Sequence, residues 1–145
     1  MEKLIIKIKY KNEDTRRLEK LSVGGWIDLS VDEDIEMKQF EYRILPLGVA
    51  MELPKEFEAN IAPRSSTYGK FKILQVNSYG VIDDVYNGDD DWWGFPALAM
   101  EKTSIPKGSR ICQFRVNIVQ PELEFYEVEL LGNNSRGGFG STGYN

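Results

Sequence analysis

The segment Arg136-Gly137-Gly138-Phe139-Gly140-Ser141-Thr142-Gly143, close to the C-terminus, holds groups that can do chemistry and none that can build a core. Four glycines in eight residues make an arm whose ordering costs roughly 1–2 kcal/mol per residue, so it closes only where a ligand supplies contacts. A polyphosphate suits it. Glycine lets backbone N–H groups approach phosphate oxygens, Arg136 offers a fork of donors, Ser141 and Thr142 add hydroxyls, and Phe139 presents a ring face to a base. The alternative is a tail without a role, as many glycine-rich termini are. A second group, Pro63-Arg64-Ser65-Ser66, sets a guanidinium and two hydroxyls at a strand-to-helix junction, either as a phosphate grip or as plain capping. A third runs from Asn77 through Tyr79-Gly80-Val81-Ile82-Asp83-Asp84 to Tyr86 and Gly88, gathering an amide, aromatics and two adjacent carboxylates. In a regular strand Asp83 and Asp84 point to opposite faces, so one enters a pocket and the other is solvated. A fourth, Arg110-Ile111-Cys112-Gln113, brings a cation and an amide suited to phosphate oxygens and an ordered water, or to a charged barrel rim. The chain has no histidine. A general base must then be a carboxylate, failing that a Lys, a Tyr or the lone Cys112, and Ser-His-Asp and Cys-His schemes are excluded.

The elements that hold these groups follow mostly a period of two. Leu4, Ile6, Ile8 and Tyr10 share one face of Lys3–Tyr10, as a half-buried strand requires. Similar runs recur at 42–51, 58–62, 72–76, 97–100, 110–119 and 124–131, and residues 76–88 read as two runs about a hairpin. Gly24-Gly25, Pro46, Leu53-Pro54, Asn87-Gly88, Pro106-Lys107-Gly108 and Asn133-Asn134 punctuate them. Many short strands between turns predict an all-β barrel or jelly roll. One short helix is expected from Ser65-Ser66-Thr67 toward Phe71, with a hydroxyl as its N-cap.

A length of 145 residues with 41% hydrophobic composition suits one domain. We expect a barrel over 1–132 and a glycine-rich arm over 133–145. A net charge of −5 argues against a nucleic-acid polymer as partner, whereas a small anion needs only a local basic pocket. No run approaches the ~20 apolar residues of a membrane span, and the opening residues lead straight into strand-like alternation, so a cytoplasmic protein is expected. The single cysteine fits a reducing compartment and reads as a small buried hydrophobe.

Taken in order, Trp26-Ile27-Asp28-Leu29, Pro63-Arg64-Ser65-Ser66, the run from Asn77 to Asp83 with Tyr86 and Gly88, Arg110–Gln113 and Arg136–Gly143 resemble the five motifs of the homotrimeric dUTP pyrophosphatase (dUTPase) family. They span nearly the whole chain. The form of Pro63–Tyr68 together with Asp89-Asp90-Asp91-Trp92-Trp93 is most similar to the version found in Gram-positive bacteria and their phages.

The resemblance implies a dUTPase-like jelly-roll barrel, three chains per enzyme with sites shared between chains, and hydrolysis of dUTP to dUMP and pyrophosphate. Such an activity keeps uracil out of DNA and supplies dUMP for thymidylate synthesis. It further implies Asp83 as the base for the attacking water, and aspartates as a class are ionised at neutral pH without tuning. Gln113 would hold that water or the α-phosphate. Arg64, Ser65, Ser66, Arg136, Ser141 and Thr142 would bind the phosphates, and Mg²⁺ would ride on the triphosphate through waters without a direct protein ligand. Asn77, Gly80, Val81, Ile82, Tyr86 and Phe139 would form the uracil and deoxyribose site. There Tyr86 packs on the sugar and leaves no room for a 2′-hydroxyl. The first motif departs from the family form, and Asp28 reads as structural; Val85 stands where the family often has Asp. For Asp89–Trp93 two readings remain: a solvated turn with Trp92 or Trp93 in the core, or an extra lid, Trp93 the candidate, over the base. A dCTP deaminase of the same fold is the rival enzyme. An exposed Trp92-Trp93 pair on an acidic surface would instead suit a regulatory protein partner.

Overall fold

The structure is a computed structural model that describes residues 3–19 and 24–139. Among these residues eleven strands and one helix form: β1 (Lys7–Tyr10), β2 (Ile27–Ser30), β3 (Ile35–Met37), β4 (Tyr42–Pro46), β5 (Val49–Glu52), β6 (Phe57–Pro63), α1 (Thr67–Phe71), β7 (Ile73–Gln75), β8 (Gly80–Ile82), β9 (Gly94–Ala99), β10 (Thr103–Ile105) and β11 (Arg110–Ile118). Every pairing is antiparallel, in sheets ordered β2-β11-β6-β8, β4-β9-β7, β1-β5 and β10-β3. This is the nearly all-β architecture that the alternation predicts.

Alternation decides which face is inward. Along β9, Phe95, Ala97 and Ala99 are buried while Gly94, Pro96 and Leu98 are half-buried, and the inward set meets Leu45, Ile61, Ile73 and Phe114 in one core. Burying a large side chain of this kind is worth roughly 1.5–3 kcal/mol. Cys112 is fully buried, which pushes its thiol well above the ordinary range, with the nearby Asp28 carboxylate adding to the effect. It stays a neutral thiol and serves as core.

Four local expectations change. The run 42–51 breaks into β4 and β5 at Gly48, whose φ is +70°; a Cβ there would stand 2.6 Å from Asp32 Cγ. The strands expected to form a hairpin over 76–88 do not pair with each other: β7 joins β9 and β8 joins β6, so the link between them crosses from one sheet to another. Helix α1 has Ser66 at its N-cap position without a side-chain cap bond. Thr67 ties the junction in another way, its buried hydroxyl accepting from the Arg64 N–H at 2.8 Å and donating to the Ile111 carbonyl at 2.8 Å. Finally, no strand forms over 124–131; Phe125, Tyr126, Leu130 and Leu131 are almost wholly exposed. Their alternation finds no partner among the described residues.

Candidate active site

At one end of the four-stranded sheet stand the groups from the second and fourth sequence motifs. The register places Asp28, Gln113 and Ala62 in one row across β2, β11 and β6. Arg64, just past β6, is held from two sides. Its backbone N–H reaches Thr67, and its Nε lies 3.0 Å from Asp28 Oδ1. The other Asp28 oxygen faces Arg110 Nε at 3.8 Å, and Arg110 also pairs with Glu19 at 2.7 Å. Asp28 is thus structural here, a carboxylate set between two guanidiniums that fixes where Arg64 points. Gln113 Nε2 donates to the Pro63 carbonyl at 3.2 Å, while Ser65 and Ser66 are exposed beside it. This end combines cations, an amide and two free-standing hydroxyls, groups that suit a phosphate chain.

At the same end of the sheet, on the far side of β6 from β11, lies the turn leading into β8. The Asn77–Tyr79 turn is tight, with the Tyr79 N–H donating to the Asn77 carbonyl at 2.7 Å and Ser78 at φ +63°. Gly80 follows, buried against β6. A Cβ on it would come within 3.3 Å of Ile61 Cβ, and the amide nitrogens of Asn77 and Gln75 stand 3.7 and 3.8 Å from the same point. The tight contact is the one with Ile61, while both amides stand at ordinary van der Waals distance. Gln75 escapes a motif reading because its part is spatial: Nε2 donates to the Ile61 carbonyl at 3.1 Å and Oε1 is buried without a protein partner.

Beyond Ile82 the chain turns. Asp83 Oδ1 accepts from the Val85 N–H at 3.1 Å, leaving the exposed carboxylate oriented by its own turn. Asp84 points elsewhere, its Oδ2 3.4 Å from the Glu56 N–H. The Tyr86 hydroxyl donates to the Trp92 carbonyl at 2.9 Å. A cavity of about 320 Å³ opens here, and Val81, Ile82, Asp83, Tyr86 and Trp92 line it. The structure therefore brings most of the third motif to one cavity, with Asn77 and Gly80 at the opposite end of β8.

Trp93 is no lid. It is 1% exposed, packs edge-on against Phe114 with ring centroids 5.3 Å apart, and donates its backbone N–H to the Val49 carbonyl at 2.8 Å. Trp92 is half-buried, so the exposed tryptophan pair expected as a partner surface is not there. Which neighbour goes inward depends on β5, whose backbone takes the Trp93 N–H; nothing in two adjacent tryptophans reveals it.

Asp83 and the group around Gln113 do not meet within one chain. Ile82 pairs with Ala59 and Gln113 with Ala62, three rows apart on β6 and on opposite sides of it. At ~3.3 Å per residue along a strand and ~4.8 Å between strands, Asp83 stands on the order of 15 Å from Gln113. Among the described residues of the arm, Arg136 is exposed and Phe139 is completely so. Ser141 and Thr142 lie outside the described residues.

Comparison with known proteins agrees with the motifs. The profile of the dUTPase family matches residues 17–143. The SPbeta prophage-derived deoxyuridine 5′-triphosphate nucleotidohydrolase of Bacillus subtilis is 54% identical over 138 residues, covering 95% of this chain and 97% of that protein. The deoxyuridine 5′-triphosphate nucleotidohydrolase of Finegoldia magna is 35% identical, covering 96% of this chain and 100% of its own. In fold, the dUTPase of Staphylococcus bacteriophage 80alpha with dUPNHPP superposes at a TM-score of 0.79 with 20% identity, over 97% of this chain and 99% of that one. The Streptococcus mutans dUTPase gives 0.72 with 21% identity over 82% and 98%. With its five motifs in order, its barrel superposing on theirs and more than half its residues shared with a prophage relative, this chain belongs to the dUTPase family.

Proposed function

We infer that the chain hydrolyses dUTP to dUMP and pyrophosphate in the cytoplasm. The observation that carries this reading is the cavity beside β8, where Asp83 and Tyr86 line one space together with Val81 and Ile82. Uracil, with an N–H between two carbonyls, is read by the Asn77 amide and the backbone of the turn, and a 5-methyl group has no room against it. The sugar lies on Tyr86. Asp83 takes a proton from water as the oxygen attacks the α-phosphorus, the bond to the bridging oxygen breaks, and pyrophosphate leaves. Gln113 orients the water or the α-phosphate, and Ser65, Ser66, Arg64 and Arg136 hold the chain of phosphates. Ser141, Thr142 and Phe139 complete the closure as the 133–145 arm folds over the ligand. Among the described residues no cluster of three or more carboxylate, histidine or cysteine ligands could cage a metal ion. Mg²⁺ would enter with the substrate, bound to the triphosphate through waters, where it offsets phosphate charge.

The separation of Asp83 from Gln113 and Arg64 supports a homotrimer in which neighbouring chains complete each site. Exposed apolar surface points the same way: Tyr42, Ile44, Leu74 and Val76 lie on β4 and at β7, and the tail adds Phe125, Tyr126, Leu130 and Leu131. A lone soluble chain rarely leaves so much apolar surface in water. A dCTP deaminase is disfavoured because the cavity has an aspartate and no glutamate to shuttle protons. Pyrophosphate release from dUTP, measured beside ammonia release from dCTP, tests the reading; ammonia without pyrophosphate would overturn it.

A further inference from the structure

The acidic loop between Tyr86 and the core has an architecture that the proposed chemistry leaves unused. Residues 87–92 carry three consecutive carboxylates, Asp89-Asp90-Asp91, whose mutual repulsion should spread the loop apart. It is instead closed at its base and clamped to the first strand. Asp91 Oδ2 accepts from the Gly88 N–H at 2.8 Å, and the Asp91 N–H returns to the Gly88 carbonyl at 3.1 Å. Lys9, on β1, donates to the Asp89 carbonyl at 2.9 Å. Its ammonium also lies 5.2 Å from the centre of the Trp92 ring, and that of Lys11 lies 4.5 Å from it. Both distances fall in the range where an ammonium is attracted to an indole face.

The target of this clamp is a single peptide unit. The N–H of the Trp92–Trp93 peptide donates to Val49 on β5, and the carbonyl of the same unit accepts the Tyr86 hydroxyl. The Trp93 side of the unit is fixed by the bond to Val49, by the Leu47 N–H donating to the Trp93 carbonyl at 3.1 Å and by the buried ring, so the freedom left to the unit is on its Trp92 side. The Trp92 ring, held by the ammoniums of Lys9 on β1 and of Lys11 just past it, removes that freedom and fixes the acceptor that sets the Tyr86 ring plane against the cavity.

We propose that Lys9 and Lys11 are positioning residues for sugar selection, holding Trp92 so that Tyr86 stays rigid enough to exclude a ribose 2′-hydroxyl. The inference rests on the dUTPase reading of the cavity. A yielding Tyr86 wall would admit the extra oxygen of UTP, whereas a fixed one cannot. Neither lysine is assigned to the phosphates or to the water, so their loss leaves the chemical step in place.

The test is the ratio of kcat/KM for dUTP to that for UTP, because the two substrates carry the same triphosphate and phosphate effects cancel. In Lys9→Ala/Lys11→Ala the ratio should fall roughly five- to thirtyfold, the range for losing two such contacts, mainly through better use of UTP, with kcat for dUTP little changed. Lys9→Arg/Lys11→Arg should restore it, since a guanidinium also sits well on an indole face. Should the double variant fold poorly, Lys11→Ala alone and Asp91→Ala, which opens the loop base, must each lower the ratio. An unchanged ratio in folded variants, or a fall that arginine does not rescue, overturns the proposal while leaving the dUTPase reading intact. A native protein that fails to hydrolyse dUTP overturns the reading itself. A merely structural role would lower the melting temperature and both activities together.

Discussion

Asp83 and Asp84 are neighbours in sequence with different surroundings, and the contrast gives a direct test of the proposed base. Asp83 is exposed at the cavity with one oxygen oriented by its own turn, while Asp84 reaches toward the Glu56 backbone. General-base assistance is typically worth ~10²–10⁴-fold, so Asp83→Asn should lower kcat by about that factor in steady-state assays while dUTP still binds by calorimetry. Asp84→Asn should change kcat by less than about threefold; a larger loss there would shift the base by one position. Trp93→Ala makes a separate prediction for the core: emptying a site this buried should cost ~3–5 kcal/mol in denaturant unfolding. Asp83 was legible because the residues around it form an ordered motif. The role of Asp28 as the link between Arg64 and Arg110 was legible only as "structural", since both partners are more than thirty positions away along the chain. Gln75 was not legible at all, because its importance depends on Gly80 lying against Ile61.

At the scale of elements, strands with four or more alternating residues, such as β1, β6 and β11, follow directly from the sequence. Three-residue pieces such as β3 and β10 are too short for a period to register, and they form because each is the other's partner. The run at 124–131 has the right alternation and makes no strand, because a period of two specifies a strand only where something pairs with it. The arm gives the element-scale prediction. A chain ending at Gly132 should melt within about 2 °C of the full protein, because the described residues beyond it bury no core. Its turnover of dUTP should nonetheless be very slow for want of Arg136 and Phe139. Phe139→Trp should report closure by a fluorescence change on adding a non-hydrolysable dUTP analogue, with the signal of Trp26, Trp92 and Trp93 subtracted. Full activity in the shortened chain would remove the arm from the mechanism.

For the whole molecule, the proposed sharing of sites predicts complementation between dead variants. Asp83→Asn protein and arm-deleted protein should each be nearly inactive alone. Co-expressed in equal amounts they should form mixed closed trimers in which a site draws Asp83 and the arm from different chains, so roughly a quarter of sites recover under random assortment. Mixed trimers confirmed by native mass spectrometry but still inactive would place both elements on one chain. The sequence suggested sharing only through family resemblance, since the distance between motif groups is a property of sheet order, in which β6 separates β8 from β11. That separation has a kinetic consequence. If no solitary chain can assemble Asp83, Gln113 and Arg64 around one nucleotide, each subunit is in effect an obligatory co-reactant of its neighbours. Specific activity should then fall with a steep power of protein concentration on dilution, and a newly made chain would stay silent toward nucleotides until it had met its partners.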